Sequence, residues 1–209
     1  MKIAELSRSS GVSIATIKYY LREGLLPPGR TGAPNQAEYT TAHLHRLTLI
    51  RTLVEVGRLS IASCRAVIAA IDEKTLSLHD TLGVAHDALP PLPPDTTTVE
   101  GDMDVALMDV HQYLDRLGWR GSESSPARYT LAQALVSLRR LGRDCGPEVF
   151  DMYARHADQI ATREVASMSA GDDRDRTVEE AVVGTIVFEA ALTALRRLAQ
   201  AHHSAIRYR

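Results

Sequence analysis

Between Gly11 and Gly24 lies the stretch whose side chains are best suited to chemistry. Successive helical residues stand about 100° apart. Ile14, Ile17 and Leu21 therefore share a side, Ala15, Thr16 and Tyr19 turn the other way, and Lys18 and Arg22 flank them. The chemistry of such a face is contact with duplex DNA. Small side chains let the backbone approach the major groove, a hydroxyl and a phenol donate to phosphate or base edges, and two cations neutralise the flanking phosphates. The competing reading is an ordinary solvated face.

The elements that would position this face are legible on either side. Lys2 to Ser10 places Ile3 and Leu6 one turn apart and ends at Gly11, a residue suited to a left-handed helix stop. Ser13 stands where the next helix needs an N-cap, and Gly24 stops that helix after Glu23. Two short helices across a three-residue turn form a helix-turn-helix. Pro27, Pro28, Gly29, Gly32 and Pro34 exclude helix and predict a small β wing over 25–39. A third helix is expected from Thr41 to Gly57, with Leu44, Leu47, Ile50 and Val54 on one face. A fourth is capped by Ser60 and carries Ile61, Cys64, Val67, Ile68 and Ile71. Cys64 reads as a small core residue rather than a redox or metal group.

The net charge of −2 conceals an asymmetry. Residues 1–71 carry nine Lys or Arg against four Asp or Glu, a balance of +5; the rest carries fifteen against twenty-two, or −7. A basic head can meet phosphates, and an acidic remainder would be repelled by them. With 209 residues, 44% hydrophobic and 5% aromatic, the chain has material for two mostly α-helical domains. Neither Cys64 nor Cys145 has a neighbour at metal or redox spacing. No signal peptide or long apolar run is visible, so a cytoplasmic protein with no membrane partner is expected.

A short helix around Leu76 to Leu89 precedes the proline-rich stretch 90–98, which predicts a stiff linker. The expected organisation is a DNA-binding domain at 1–72, a short helix and linker at 73–100, and an all-helical domain at 101–209. Four helices are expected there, over 102–118, 126–142, 147–168 and 175–202. From Ala181 to Leu195 the only charged residue is Glu189, which predicts a helix buried nearly all round, at a domain centre, a subunit interface or both. Glu189 is then paired in that interior, part of a ligand pocket, or exposed at an edge. Tyr113, Trp119, Tyr153 and Phe188, with Glu189, are candidates to line an effector pocket; core packing is the plainer alternative. His202 and His203 are adjacent, and His43 and His45 lack the four-residue spacing of two ligands on one helix face, so all four read as surface histidines. Asp172, Asp173 and Asp175 lack the pattern of a calcium loop. No metal or cofactor is expected. No nucleophile with its base, phosphate-binding glycine loop or metal signature points to an enzyme.

The run IAELSRSSGVSIATIKYYLREGLLPP resembles the opening of MerR-family regulators: a helix, a Gly-Val-Ser turn, a Thr-Ile-Lys-Tyr-Tyr recognition helix and a Gly-Leu-Leu-Pro exit. The likeness continues through LHRLTLIRTLVEVGRLSIASCRAVI and covers about a third of the chain. It implies a homodimer on a pseudo-palindromic promoter site, deforming double-stranded DNA so that RNA polymerase can engage. It also implies contacts from Thr16, Lys18, Tyr19 and Arg22, with Arg30, Asn35, Gln36 and Tyr39 added by the wing. Gln36 and Ala37 stand where many members carry Tyr-Arg, so one phosphate-binding charge per subunit is missing. The family's usual connector is a long helix pairing antiparallel between subunits. The prolines interrupt it here, moving the expected dimer contact to the C-terminal domain, which either answers a small apolar ligand or only dimerises or recruits a protein.

Overall fold

The computed structural model describes residues 1–33, 36–90, 101–168 and 174–208, leaving aside the side chains at 31–33, 36 and 174. Asn35, most of the proline stretch, Asp172 and Asp173 fall outside the described residues. The fold is mostly α, with one two-stranded sheet among the described residues. The chain divides into two compact units, one built from the N-terminal segment and the last helix, the other from the helices between them.

In the first unit, α1 (Ile3–Ser10) ends on Gly11 at φ 69°, and α2 (Ile14–Arg22) starts on Ser13, whose hydroxyl accepts from the Thr16 N–H. The wing pairs β1 (Arg30–Ala33) antiparallel with β2 (Gln36–Glu38), with Arg30 opposite Glu38 and Thr31 opposite Ala37. Gly29 has to be glycine: a Cβ there would stand 2.9 Å from the Glu38 carbonyl oxygen. The wing is anchored where the main chains of Met1 and Tyr39 exchange hydrogen bonds of 2.7 and 2.8 Å.

Next come α3 (Thr41–Arg51), α4 (Ile61–Asp72) and α5 (Leu78–Ala88). The single long helix expected over 41–57 instead opens into a π turn at Thr52–Val56. Thr48 and Thr52 bond back to the carbonyls of Leu44 and Thr48, an arrangement that loosens a helix. His43 corrects the surface-histidine expectation. It is buried, its Nδ1 accepts from the Thr40 N–H at 3.1 Å, and its ring meets Tyr39 edge-on. Leu6, Ile17, Leu25, Leu26, Leu47, Ile50, Leu53 and Val67 form the centre of this core. Cys64 lies among them as a small core residue, and burial pushes its thiol up to about 11.

The last helix, α9 (Arg174–Arg207), supplies Val178, Val182 and Ile186 to the same core. Assigning it to a domain at 101–209 therefore does not match its packing, because these side chains cover the hollow over Gly57. A Cβ at Gly57 would stand 2.6 Å from Ile186 Cγ2. Burial nearly all round does not hold either. Phe188, Leu192 and Leu195 are exposed, because the core reaches only one side of the first part of the helix.

The second unit holds α6 (Asp102–Arg116), α7 (Pro126–Arg140) and α8 (Asp151–Ser167), the last preceded by a 3-10 turn at Pro147–Phe150. Ala106, Val110, Tyr113, Leu114, Ala132, Leu135 and Val136 make its core. Arg139 ties α7 to α6 through Asp109 at 2.6 Å and donates to the Cys145 carbonyl. Pro126 occupies the first turn of α7, where its missing N–H costs nothing.

Candidate nucleic-acid interface

The helix-turn-helix is held by hydrogen bonds that reach far along the chain. Arg51 donates to the Ser10 carbonyl at 3.1 Å and closes the end of α1. The same guanidinium makes a two-pronged pair with Glu55, which raises the Arg51 pKa and lowers that of Glu55. Arg65 does the equivalent for α2, donating to the Glu23 carbonyl at 3.0 Å and to its carboxylate at 2.7 Å. Neither residue stood out in the sequence, since their partners lie 41 and 42 positions away. Such donors fix the angle between the two helices while leaving the outer face of α2 uncovered.

Ile17 and Tyr20 are the buried residues of α2, and Leu21 is partly covered. Ile14, expected inside, is 39% exposed. The buried side is turned toward Tyr20, whose ring packs in the core and whose hydroxyl pKa is raised by desolvation. Ala15, Lys18 and Arg22 are exposed, while Thr16 and Tyr19 are half-buried at the flanks. The Thr16 hydroxyl is 2.8 Å from that of Ser13. Arg22 lies 5.4 Å from the centre of the Tyr19 ring, a cation–π contact that orders both side chains for whatever they meet.

The wing residues are distributed less evenly. Arg30 is exposed at the start of β1 and Gln36 opens β2. Tyr39 is only 6% exposed, with its ring against His43, so the structure gives it a packing role in place of a free contact surface.

Sorting the cations of residues 1–71 by partner divides them into two sets. Lys2, Arg46, Arg51 and Arg65 each pair with a carboxylate. Among the described residues, Arg8, Lys18, Arg22, Arg30 and Arg58 make no ion pair. The second set includes the outer face of α2 and the wing. Arg58 is held in a left-handed conformation at φ 55° immediately after Gly57.

The five candidate effector residues fall in both units, three in the second and two in the first. Tyr113 is buried in the second unit, where its hydroxyl donates to Asp151 at 3.0 Å; burial and that bond raise it to about 12. Trp119 donates to Asp158 at 3.2 Å, and Tyr153 is 47% exposed. Phe188 and Glu189 stand exposed on α9, in the first unit. None of the five lines the cleft of about 610 Å³ between α3, α4 and the start of α9, or the open cleft of about 640 Å³ beside Arg139 and Cys145. Among the described residues no His, Cys, Asp or Glu cluster suits a metal, and no helix is long and apolar enough to cross a membrane.

Residues 1–71 match the family described as MerR HTH family regulatory protein. The chain is 40% identical over 50 residues to the HTH-type transcriptional regulator ZntR homolog of Haemophilus influenzae, an alignment covering 24% of this chain and 37% of that one. It is 30% identical over 89 residues to the HTH-type transcriptional regulator HmrR of Rhizobium leguminosarum bv. viciae, covering 43% of this chain and 67% of that relative. Across its whole length it is similar to the crystal structure of SCO5550 from Streptomyces coelicolor A3(2), a candidate transcriptional regulator. That likeness has 38% identity and a TM-score of 0.71, and it covers 98% of the other chain.

Proposed function

The chain belongs to the MerR family of helix-turn-helix regulators, and from that premise we propose that it binds a pseudo-palindromic promoter site as a homodimer, with α2 in the major groove of each half-site. One observation carries the reading. Lys18 and Arg22 on α2 and Arg30 on the wing have no carboxylate partner among the described residues, whereas Arg46, Arg51 and Arg65 behind them are held in ion pairs. Phosphates can be neutralised by Lys18, Arg22 and Arg30 without breaking a structural ion pair. Ala15 leaves room for the backbone to approach the groove, and Thr16 and Tyr19 offer hydroxyls at its edge. RNA polymerase is the partner that such a complex would serve at a promoter.

Footprinting of the purified protein on the DNA upstream of its own coding region tests this. Protection over one inverted repeat, lost in Arg22→Ala and Tyr19→Ala variants that keep their helical content, is the expected result. Protection unchanged in both variants would place the docking surface elsewhere.

For the helical domain, the hydrogen bonds that Tyr113 and Trp119 make within their own unit favour the second reading, a domain that dimerises or recruits a protein, over one that senses a small apolar ligand. The hydroxyl of Tyr113 and the indole N–H of Trp119 are already satisfied inside the unit. Footprints repeated with apolar ligands separate the two readings, since only the sensing domain changes the pattern.

A further inference from the structure

We infer that the π turn at Thr52–Val56 is the joint that sets the angle between α1 and α2: Glu55 and Arg51 act from it as positioning residues for the outer face of α2, and Ile186 holds its register. The inference rests on the DNA-binding reading above for its purpose, but its first test contains no DNA, so the two can fail separately.

Two arginines hold the opening helices, each from different ground. Arg65, which holds the end of α2, stands inside the regular helix α4. Arg51, which holds the end of α1, is the last residue of α3, where the winding changes. The Gly57 N–H bonds to the Thr52 carbonyl at 3.1 Å, five residues back instead of four, so the turn carries one residue more than an α turn. Closing it would carry everything beyond it round the axis by about one residue, roughly 100°. Glu55 lies inside that turn, and its carboxylate meets Nε and Nη2 of Arg51 at 3.0 Å each. With those two nitrogens occupied, Nη1 is left to reach the Ser10 carbonyl at 3.1 Å. The place of Glu55 therefore decides where the guanidinium fork points. The pair also reaches α2: desolvation leads the rise in the Tyr20 pKa, and the charges of Glu55 and Arg51 both act on the same hydroxyl.

The register of the turn is set from its far side. Gly57 is enclosed, since a Cβ there would stand 2.6 Å from Ile186 Cγ2, 2.8 Å from the Leu53 carbonyl oxygen and 2.8 Å from Leu59 Cδ1. Arg58, the next residue, is in the left-handed region at φ 55°, a conformation that costs a non-glycine residue free energy and persists only where its surroundings enforce it. Leu53 and Ile186 are both fully buried, so the turn is gripped between the core and the last helix. It cannot rewind without displacing one of them.

Amide hydrogen exchange of the full chain, followed residue by residue, tests the joint. The Gly11 N–H, bonded to the Ser7 carbonyl, and the Val12 N–H, bonded to the Ser10 hydroxyl, report on the end of α1; the Glu73 N–H at the end of α4 is the control. Arg51→Ala should speed exchange at Gly11 and Val12 by roughly tenfold, and Glu55→Gln by about threefold, with Glu73 unchanged. Ile186→Leu keeps the volume but removes Cγ2, and should speed the same two sites while adding nothing once Arg51→Ala is present. Additive effects, or equal acceleration at Glu73, would mean plain loss of stability and overturn the proposal. On DNA, Arg51→Ala should weaken binding by roughly tenfold and leave the slope of log affinity against log salt unchanged; a slope lower by about 1 makes Arg51 a phosphate contact and sinks its positioning role. DNA binding by a parent whose Gly11 and Val12 ignore Arg51→Ala overturns the joint and leaves the DNA reading standing. The expected exchange pattern in a chain that protects no DNA does the reverse.

Discussion

Two helices leave a face open to water, and they do so with opposite chemistry. On α2 the open side carries Ala15, Lys18 and Arg22, while Ile17 and Tyr20 are spent inside. From Phe188 onward the open side of α9 carries Phe188, Leu192 and Leu195, all exposed. Water tolerates the first face indefinitely, so its cations await an anion without cost to the fold. The second leaves apolar surface in water, where it adds nothing to the burial that holds the fold. Exposure alone therefore says little about function; the chemistry left exposed, and whether the fold already uses those groups, says more.

The two ends of α9 give the largest expected contrast. Ile186→Ala, at a fully buried site against Gly57, should lower unfolding free energy by about 2–5 kcal/mol in denaturant titrations at any protein concentration. Leu195→Ala, at an exposed site, should change stability by no more than about 0.5 kcal/mol; a loss equal to that of Ile186→Ala would erase the distinction between the two ends. Gly57→Ala sharpens the same point from the other side of the contact. Its Cβ would press on Ile186 and on the Leu53 carbonyl, with an expected cost of about 1–3 kcal/mol by the same titration.

On α2 the expected effects fall on binding instead of folding. Lys18→Ala should weaken DNA binding and reduce the slope of log affinity against log salt by about 1, with thermal stability within about 0.5 kcal/mol of the parent. A slope that does not change would remove Lys18 from the phosphate contacts. Ser13→Ala should cost about 1 kcal/mol of stability, because the cap on the Thr16 N–H is lost where α2 starts.

The smallest effect concerns Cys64. Burial favours its neutral thiol, so the folded pKa of about 11 lies above the ordinary 9.0. The stabilisation this represents is fully present below pH 9 and is lost as pH rises toward 11, because the unfolded chain ionises first. A thiol reagent at pH 8 should label Cys145, which is partly exposed, and reach Cys64 only after unfolding. Rapid labelling of both thiols in the folded protein would contradict the burial.

The elements around the interface were readable because each has a local cause. Gly11 ends a helix through its own backbone freedom, Ser13 and Ser60 cap through their own hydroxyls, and the prolines after Leu26 exclude helix by their own rings. The buried face of α2 differs from the one its periodicity predicts by part of a turn. Ile14 and Tyr20 are both plausible core residues by type, and only the position of the surrounding core decides between them. His43 departs from its expected surface position for a related reason: its bond to Thr40 is local, but its burial depends on packing against Tyr39.

Local chemistry was thus enough to determine the helix-turn-helix, the wing, the basic head and the stretch from Ala181 to Leu195 whose only charge is Glu189. Tertiary packing alone decided that α9 returns to the first unit, that Arg51 and Arg65 lock the two opening helices, and that Tyr39 faces inward. Caps, turns and periodicity act over a few residues and leave their mark in the order of side chains. Contacts between residues some forty or more than a hundred positions apart depend on which surfaces fit together, and a linear pattern carries no record of that fit.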